Sequence, residues 1–237
     1  MADGVYSEVD VVVVGAGFGG MYMLHRLRGL GMTAKVFEAG SGVGGTWFWN
    51  RYPGARVDIQ SLEYSFSFDE KLEREWRWSE RYAPQAELLD YANHVADRYD
   101  LRRDIQLDTR VNAAHFDETA NRWTVTTDRG DTVSARHVVM ATGCLSIPQA
   151  PKFPGLESFK GKWYHTGQWP HEKVDFTGDK PGCALLRFLG RLEPFKADIG
   201  TGEVDRLLTL AALGFGNWRS GRHVFTHSLN SSSALEC

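Results

Sequence analysis

The stretch VDVVVVGAGFGG at residues 9–20 limits most strongly what this chain can fold into. A β-branched run that stops at glycines is typical of a strand buried on both faces of a parallel sheet and followed by a tight turn. Residues 19–30 then suit a helix, since apolar residues recur at three-residue intervals: Met21, Leu24, Leu27 and Leu30. TAKVFEAG, residues 33–40, is typical of a second strand. The region is therefore predicted to be a βαβ unit.

The following residues predict one more helix and a series of strands. Pro84 opens a helical pattern with Leu88, Tyr91, Val95 and Tyr99 on one face. Short β-like runs follow at residues 104–107, 110–116 and 122–127, with a turn at 128–130 leading into residues 132–134. HVVMATG, residues 137–143, is predicted to be a further buried strand. These elements indicate an α/β fold with a parallel sheet, helices and a small antiparallel β excursion.

The turn after the first strand carries a dinucleotide-binding pattern. Gly15, Gly17 and Gly20 have G-x-G-x-x-G spacing, and Glu38 closes the second strand. The first glycine permits the turn, the second lets a diphosphate approach the backbone, and the third lets the helix lie close to the sheet. Glu38 can accept hydrogen bonds from a ribose and would repel a 2′-phosphate, so the site should take FAD or NAD and not NADP.

A glycine- and aromatic-rich segment separates FAD from NAD. Residues 44–68, GGTWFWNRYPGARVDIQSLEYSFSF, could be a loop with core aromatics, or could wall a flavin ring. This segment closely resembles the FAD domain of Baeyer–Villiger monooxygenases, and the resemblance runs over about residues 9–180. It implies a Rossmann-like FAD-binding domain that is incomplete relative to the family fold with two dinucleotide-binding domains.

A second signature supports this resemblance. FKGKWYHTGQWP, residues 159–170, fits the family fingerprint F-x-G-x-x-x-H-x-x-x-W-P at Phe159, Gly161, His165, Trp169 and Pro170. In the family this segment links the FAD domain to an NADPH domain, and its histidine is thought to couple their movements. The rings of Phe159 and Trp169 would anchor the linker, and Gly161 and Gly167 would let it bend. The alternative for His165 is a histidine hydrogen-bonded in a packed loop.

The resemblance implies that NADPH reduces FAD and that one oxygen atom of O2 is inserted next to a ketone carbonyl, giving an ester or lactone. The resemblance implies Gly15, Gly17 and Phe18 at the diphosphate, Glu38 at the ribose, and Thr46, Trp47, Phe48 and Trp49 around the flavin. It implies Asp58 and Tyr64 near the isoalloxazine, Val111 near the adenine, and Ala141, Thr142 and Gly143 at the return to the sheet. Gly20, Gly45 and Arg56 complete the implied cofactor-binding residues.

Asp58 is the implied catalytic residue. In the family such an aspartate lies beside an arginine that stabilises the oxygenating species. The alternative is a carboxylate that caps the turn after YPGAR. Cys144 could tune the pocket or be a small buried hydrophobe.

The resemblance ends near residue 180. The expected organisation is an FAD-binding domain at 1–157, a linker at 158–180, and an atypical segment at 181–237 with no recognisable NADPH domain. Two glycine pairs there, Gly200/Gly202 and Gly214/Gly216, lack the third glycine and a preceding strand. The family's arginine and the residues that complete its FAD domain also come from later in the chain. A truncated chain, an altered reading frame or a partial gene would each explain this, and an open sheet edge should favour association.

Composition narrows the partners. The net charge of −3 with no basic face argues against nucleic acid or an anionic membrane, so a small ketone and O2 are the expected partners. Cys144, Cys183 and Cys237 have no metal-ligand spacing, so no metal is expected and the cytoplasm fits. The amino terminus has no apolar signal region, and residues 207–215 are too short to cross a bilayer.

Three interpretations therefore remain. The chain is an FAD- and NADPH-dependent Baeyer–Villiger monooxygenase, a non-catalytic FAD-binding module or subunit, or a truncated product that binds nothing. N-hydroxylating or sulfur-oxidising flavin monooxygenases are the enzymatic alternative, and they lack the proline-closed HTGQWP linker.

Overall fold

The computed structural model describes residues 6–145, 147–148, 158, 160, 162–175 and 177. The predictions for Phe159, Gly161 and residues 181–237 lie outside these described residues. The described residues form two compact units. The first contains residues 6–49, 65–77 and 86–145, and the second contains residues 50–64, 78–85 and those described from 147 onward.

The elements alternate between strand and helix in the first part of the chain, as the βαβ pattern predicts. The helices are α1 (Phe18–Gly29), α2 (Thr46–Trp49), α3 (Glu70–Glu75) and α4 (Gln85–Arg98). The strands are β1 (Tyr6–Val14), β2 (Ala34–Phe37), β3 (Ile105–Gln106), β4 (Val111–Asp117), β5 (Arg122–Thr127) and β6 (Thr132–Met140). Short 3-10 turns occur at Ser61–Tyr64, Leu101–Asp104 and Thr166–Gln168.

The six strands form one mixed sheet in the order β3-β2-β1-β6-β5-β4. β3, β2, β1 and β6 are parallel, while β6, β5 and β4 are antiparallel. The predicted α/β fold with an antiparallel excursion is therefore confirmed. The glycine turn follows β1, the central strand of the parallel part, at its carboxyl end, which is where open α/β sheets bind ligands.

Alternating side chains of β1 enter two apolar layers. Val12 joins a buried cluster with Phe37, Val125, Val133 and Ala135. Helix α1 contacts β1 and β2 and buries Met21, Leu24 and Leu27, as the periodicity predicts. Placing Leu30 on that buried face was wrong. Leu30 caps the end of α1 and is 68% exposed, because the chain turns away there at Gly31.

Strand β6 differs from its prediction in two ways. Residues 132–134 and 137–140 belong to one continuous strand rather than two. Its first residues, Thr132–Ala135, pair with both β1 and β5, but from Arg136 on β6 pairs only with β1 among the described residues. The prediction that HVVMATG is buried was consequently wrong, since His137 is exposed, Val138 and Val139 are only half-buried, and Met140 is 64% exposed.

None of the helices in the described ranges is long and apolar enough to cross a lipid bilayer.

Candidate functional site: a glycine cradle at the end of β1

The first glycine turn packs backbone directly against backbone. Gly15 has φ +103°, and a Cβ there would lie 2.6 Å from the carbonyl oxygen of Ala141. A Cβ on Gly20 would overlap the carbonyl oxygen of Gly15. The amide of Ala141 in turn donates to the carbonyl of Val14 at 2.9 Å. These two glycines are therefore needed for the turn to form, whatever it binds.

A second glycine loop faces the first. Gly44 donates its amide to the carbonyl of Ala16 at 3.0 Å. Gly45 has φ +56°, and a Cβ there would lie 2.8 Å from the Cα of Gly17. We call residues 15–20 together with 44–45 the glycine cradle. Its surface at the closest approach of the two loops is bare backbone, because neither Gly17 nor Gly45 has a side chain.

The cradle has the features that suit a diphosphate. Gly17 is the N-cap of α1, a helix of 12 residues, and provides no side chain to cap its first amides. No acidic residue lies in the first turn of α1. The positive end of the helix dipole and the amides of its first turn are therefore directed to a surface that accepts a negatively charged group.

Glu38 holds the two loops together. Its side chain is only 6% exposed, Oε2 accepts the amide of Ala16 at 2.7 Å, and Oε1 accepts the amide of Gly40 at 2.7 Å. The sequence predicts a ribose ligand at this position but does not reveal this bracing role. Each carboxylate oxygen has a second lone pair, so both tasks are compatible.

The predicted flavin wall forms α2 and the loop before it. Thr46, Trp47, Phe48 and Trp49 make up this single turn of helix, and Trp47 and Phe48 are buried. A Cβ on Gly40 or Gly42 would lie 2.8 Å from the ring of Phe48. Phe48 also meets Trp49 edge to face, with ring centroids 5.1 Å apart. These two glycines thus make room for the ring that anchors the wall.

An aromatic cluster beside α1 was missed by the sequence reasoning. Phe18, predicted at the diphosphate turn, stacks on Phe66 with centroids 5.3 Å apart, and Phe66 stacks on Tyr91 at 6.0 Å. The fully buried Tyr91 accepts the amide of Phe66 at its Oη, at 2.7 Å. Tyr22 and Phe68 extend the cluster. The alternation in YSFSF, residues 64–68, was the available signal.

Arg56, Asp58 and Tyr64 lie in the second unit. The Arg56 guanidinium donates to the Glu80 carboxylate at 2.5 Å and to the carbonyl of Tyr82 at 2.9 Å. Burial, and then the negative charge of Asp58, raise the pKa of Tyr52 to about 12. Asp58 is thus a half-buried carboxylate that acts electrostatically on a neighbouring phenol.

The remaining predicted contacts of the first unit lie at strand ends. Val111 begins β4 beside a register shift opposite β5. Thr142 and Gly143 follow β6 and are exposed, with Gly143 at φ +67°. Cys144 is exposed, so its interpretation as a buried hydrophobe was wrong.

Three fingerprint residues fall in the described part of the second unit. His165 precedes the 3-10 turn Thr166–Gln168, and Trp169 and Pro170 follow it. The ring of Trp169 lies 5.3 Å from that of Tyr164, at 36°. Tyr164 and Trp169 thus pack on each other across a short turn.

Two further features of the described residues lie apart from the predicted site. A cavity of about 820 Å³ is lined by the first residues of β1, β2 and β6 together with Arg28, Arg129 and Asp131. None of the predicted site residues lines this cavity. In the same ranges, no group of three His, Cys, Asp or Glu side chains is placed to hold a metal ion.

Comparison with known proteins gives one family. The family described as pyridine nucleotide-disulphide oxidoreductase matches residues 12–177. The chain is 47% identical over 176 residues to an acetone monooxygenase (methyl acetate-forming) of Gordonia sp. strain TY-5, covering 74% of this chain and 33% of the relative. It is 48% identical over 179 residues to a Baeyer-Villiger monooxygenase of Pseudooceanicola batsensis, covering 75% and 33%. A phenazine N-monooxygenase of Lysobacter antibioticus is 47% identical over 171 residues, covering 72% and 32%.

Solved structures agree. An oxidized steroid monooxygenase bound to NADP is 60% identical with a TM-score of 0.70, covering 73% of this chain and 33% of that one. A structure of OTEMO in complex with FAD and NADP is 41% identical with a TM-score of 0.65, covering 71% and 31%. The chain spans about a third of the length of the relatives it matches.

Proposed function

This chain belongs to the pyridine nucleotide-disulphide oxidoreductase family, and on that basis we propose that it binds FAD as the flavin domain of a Baeyer–Villiger monooxygenase. The observation that carries the proposal is the glycine cradle, two facing loops of bare backbone braced by a buried Glu38. The homology to monooxygenases named for ketone oxygenation supports the same function.

The cradle and its neighbours would hold the cofactor. The amides of the first turn of α1 would donate to the diphosphate, and Glu38 would accept from the ribose hydroxyls. Thr46, Trp47, Phe48 and Trp49 would lie along the flavin. When bound, FAD supplies the redox chemistry by which a ketone, O2, NADPH and a proton become an ester, water and NADP⁺.

The residues of the second unit would serve the reacting groups. We assign Asp58 and Tyr64 to the isoalloxazine side and Arg56 to the cofactor site, with Asp58 orienting the arginine that the family resemblance implies. Val111 would lie near the adenine, and Ala141, Thr142 and Gly143 would close the nucleotide site. The division into an FAD domain at 1–157, a linker at 158–180 and a segment at 181–237 stays a prediction.

NADPH use, the ketone and O2 belong to this proposal because the matched region covers only about a third of the relatives. The cytoplasm is the compartment we propose, since the three cysteines suggest no disulfide framework. Association through the surface of the incomplete domain also stays a prediction, and the edge of β6 from Arg136 to Met140 is where we expect it.

A second candidate function is N-oxygenation. The 47% identity to a phenazine N-monooxygenase favours it, because that value equals the identity to the acetone monooxygenase. Both functions require the same flavin site. They differ in the substrate, which is a ketone in one case and a heteroaromatic nitrogen in the other. To distinguish the two functions, this chain would be joined to the NADPH-binding domain of a relative, and its turnover of a ketone and of a phenazine would be measured.

The test of the proposed function is flavin binding by the purified chain. We expect a flavin absorbance spectrum and quenching of FAD fluorescence on titration, while NADPH under exclusion of air tests whether this chain alone is reduced. Gly17→Asp should weaken FAD binding by about 100-fold or more, because a carboxylate would face the diphosphate. A Cβ at Gly17 lies 3.4 Å from the Cα of Gly45, an ordinary contact, so this variant should still fold.

Gly19→Ala is the matched control for this titration. It lies in the same turn, and no heavy atom lies within 4 Å of an added Cβ. It should bind FAD as the parent chain does. A parent chain that does not bind FAD, or a Gly17→Asp variant that binds it undiminished, would overturn the proposed site.

A further inference from the structure

His165 accepts two hydrogen bonds from the turn that follows it. Its Nδ1 accepts the amide of Gly167 at 3.1 Å, and its carbonyl oxygen accepts the amide of Gln168 at 2.9 Å. Its backbone is extended, at φ −108° and ψ 130°, as expected of the residue that caps a helical turn. The imidazole therefore takes the place that a Ser, Asp or Asn side chain usually has at an N-cap.

This hydrogen bond sets the protonation state of the ring. A neutral imidazole has one N–H and one nitrogen that can accept, whereas an imidazolium has two N–H groups and accepts nothing. Because Nδ1 accepts from Gly167, the ring proton must be on Nε2. The geometry thus requires a neutral imidazole of one defined tautomer in this segment.

Gly167 lies close against the imidazole ring of His165. Its φ is outside the left-handed region that favours glycine. A Cβ on Gly167 would instead lie 3.3 Å from Nδ1 and 3.4 Å from Cε1 of His165, as well as 3.4 Å from Cβ of Pro148. A side chain at residue 167 would therefore crowd the imidazole that caps the turn. The bending role predicted for Gly167 stays a prediction.

The capped turn brings two aromatic rings together. Tyr164 precedes the cap and Trp169 follows the turn, and their ring centroids lie 5.3 Å apart. We infer that His165 is a positioning residue, whose neutral Nε2–H imidazole caps the turn Thr166–Gln168 and thereby sets the Trp169 ring against Tyr164. Its part in the reaction rests on the proposed function, whereas the capping does not.

The chain offers a matched pair of substitutions. In His165→Asn the side-chain oxygen can occupy the position of Nδ1 and accept from Gly167, as Asn does at other N-caps. In His165→Gln the longer side chain places its amide near the position of Nε2, away from that donor. Both replacements are neutral amides, so they differ in the cap and not in charge or chemical type.

The experiment is NMR on the ¹⁵N-labelled full chain without cofactor. The ring ¹⁵N shifts of His165 should show the proton on Nε2, and a through-hydrogen-bond coupling should join Nδ1 to the amide nitrogen of Gly167. Exchange of the Gly167 amide should be about 5-fold faster in His165→Gln, the effect of one hydrogen bond, and near the parent rate in His165→Asn. Spectra elsewhere in the chain report whether each variant is folded.

Two results would overturn the inference: a ring proton on Nδ1, or Gly167 exchange that is equal in the parent chain and His165→Gln. FAD titration of the same three proteins keeps the two proposals separate. If the parent chain does not bind FAD but the hydrogen bond from Gly167 to His165 is present, the proposed function is refuted and the capping role of His165 still holds.

Discussion

The glycine cradle and the fingerprint segment, described here over residues 162–170, are both recognisable in the sequence, but contacts of different range hold them. In the cradle, Gly15 packs on Ala141 and Gly17 on Gly45, residues far apart in the chain. In the fingerprint segment, His165 caps Gly167, and Tyr164 packs on Trp169. The cradle is held by backbone contacts between residues that are distant in the sequence, whereas the fingerprint segment is held by contacts within a few residues. Substitutions in the two regions should therefore differ in their effect on global stability.

The largest effect is expected for Gly20→Ala. The added Cβ would overlap the Gly15 carbonyl oxygen and lie 3.5 Å from Cβ of Ala141. Since backbone cannot move aside cheaply, we expect a loss of about 3 kcal/mol or more in the free energy of unfolding, measured by urea denaturation. Gly19→Ala, with open space around its Cβ, should be unchanged or slightly stabilised. Equal stability of the two variants would show that the close backbone packing at Gly20 does not stabilise the cradle.

Glu38→Gln should have the next largest effect. An amide has one acceptor oxygen, so one of the two amides held by Glu38, that of Ala16 or Gly40, would lose its partner and face an NH2 group. We expect a loss of about 2 kcal/mol, typical of a buried charged hydrogen bond, and weaker FAD binding. Unchanged thermal unfolding would show that Glu38 does not brace the loops.

Alkaline pH should destabilise both units. Burial raises the pKa of Tyr91, Tyr99 and Tyr52 to about 12, from an ordinary value of 10.0. The folded chain keeps these protons between pH 10 and 12 while the unfolded chain loses them. Their contribution to stability is therefore complete below about pH 10 and falls as the pH rises toward 12. The free energy of unfolding, measured from pH 9 to 12, should therefore decrease as the pH rises.

Tyr91→Phe isolates one of these groups. It removes the acceptor of the Phe66 amide, at a cost of about 1 kcal/mol near neutral pH. It should also make the decline above pH 10 shallower. A variant whose stability falls with pH as steeply as that of the parent chain would argue against the raised pKa of Tyr91.

The smallest effect is expected for Trp169→Ala. This change removes the contact with Tyr164, which is worth about 1 kcal/mol for an aromatic pair. Because the contact is local, we expect the loss to appear as faster amide exchange of residues 164–169, with global unfolding nearly unchanged. A decrease in global stability as large as that of Gly20→Ala would contradict the expectation that contacts in the fingerprint segment act only locally.

The βαβ unit, the glycine turn and Glu38 could be predicted because their residue types follow from local geometry. A β-branched run predicts a buried strand, the spacing of the glycines predicts a tight turn, and the helical period of apolar residues predicts a helix. The short α3, whose cap Asp69 accepts the amide of Lys71, was not predicted because six residues give too little periodicity.

Other features depend on contacts that a linear pattern does not encode. The aromatic cluster of Phe18, Phe66 and Tyr91 joins three segments. The pairing of β6 with both β1 and β5 buries Val133 and Ala135, and the loss of β5 as a partner leaves Arg136 and His137 exposed. The two backbone amides held by Glu38 belong to loops on either side of it in the sequence. In each case the structure depends on which distant residue is the contact partner, and the type of the residue itself does not reveal that partner.

The continuity of β6 has a consequence for chain length. Because one uninterrupted strand runs from the β5 hairpin to Met140, adding or deleting a single residue between Ala135 and Val138 would turn Val138 to the opposite face and carry Ala141 out of reach of Gly15. The turn at residues 128–131 lies before this stretch and can change length without either result. Natural variation in loop length should therefore collect at that turn, and β6 should keep a constant count of residues.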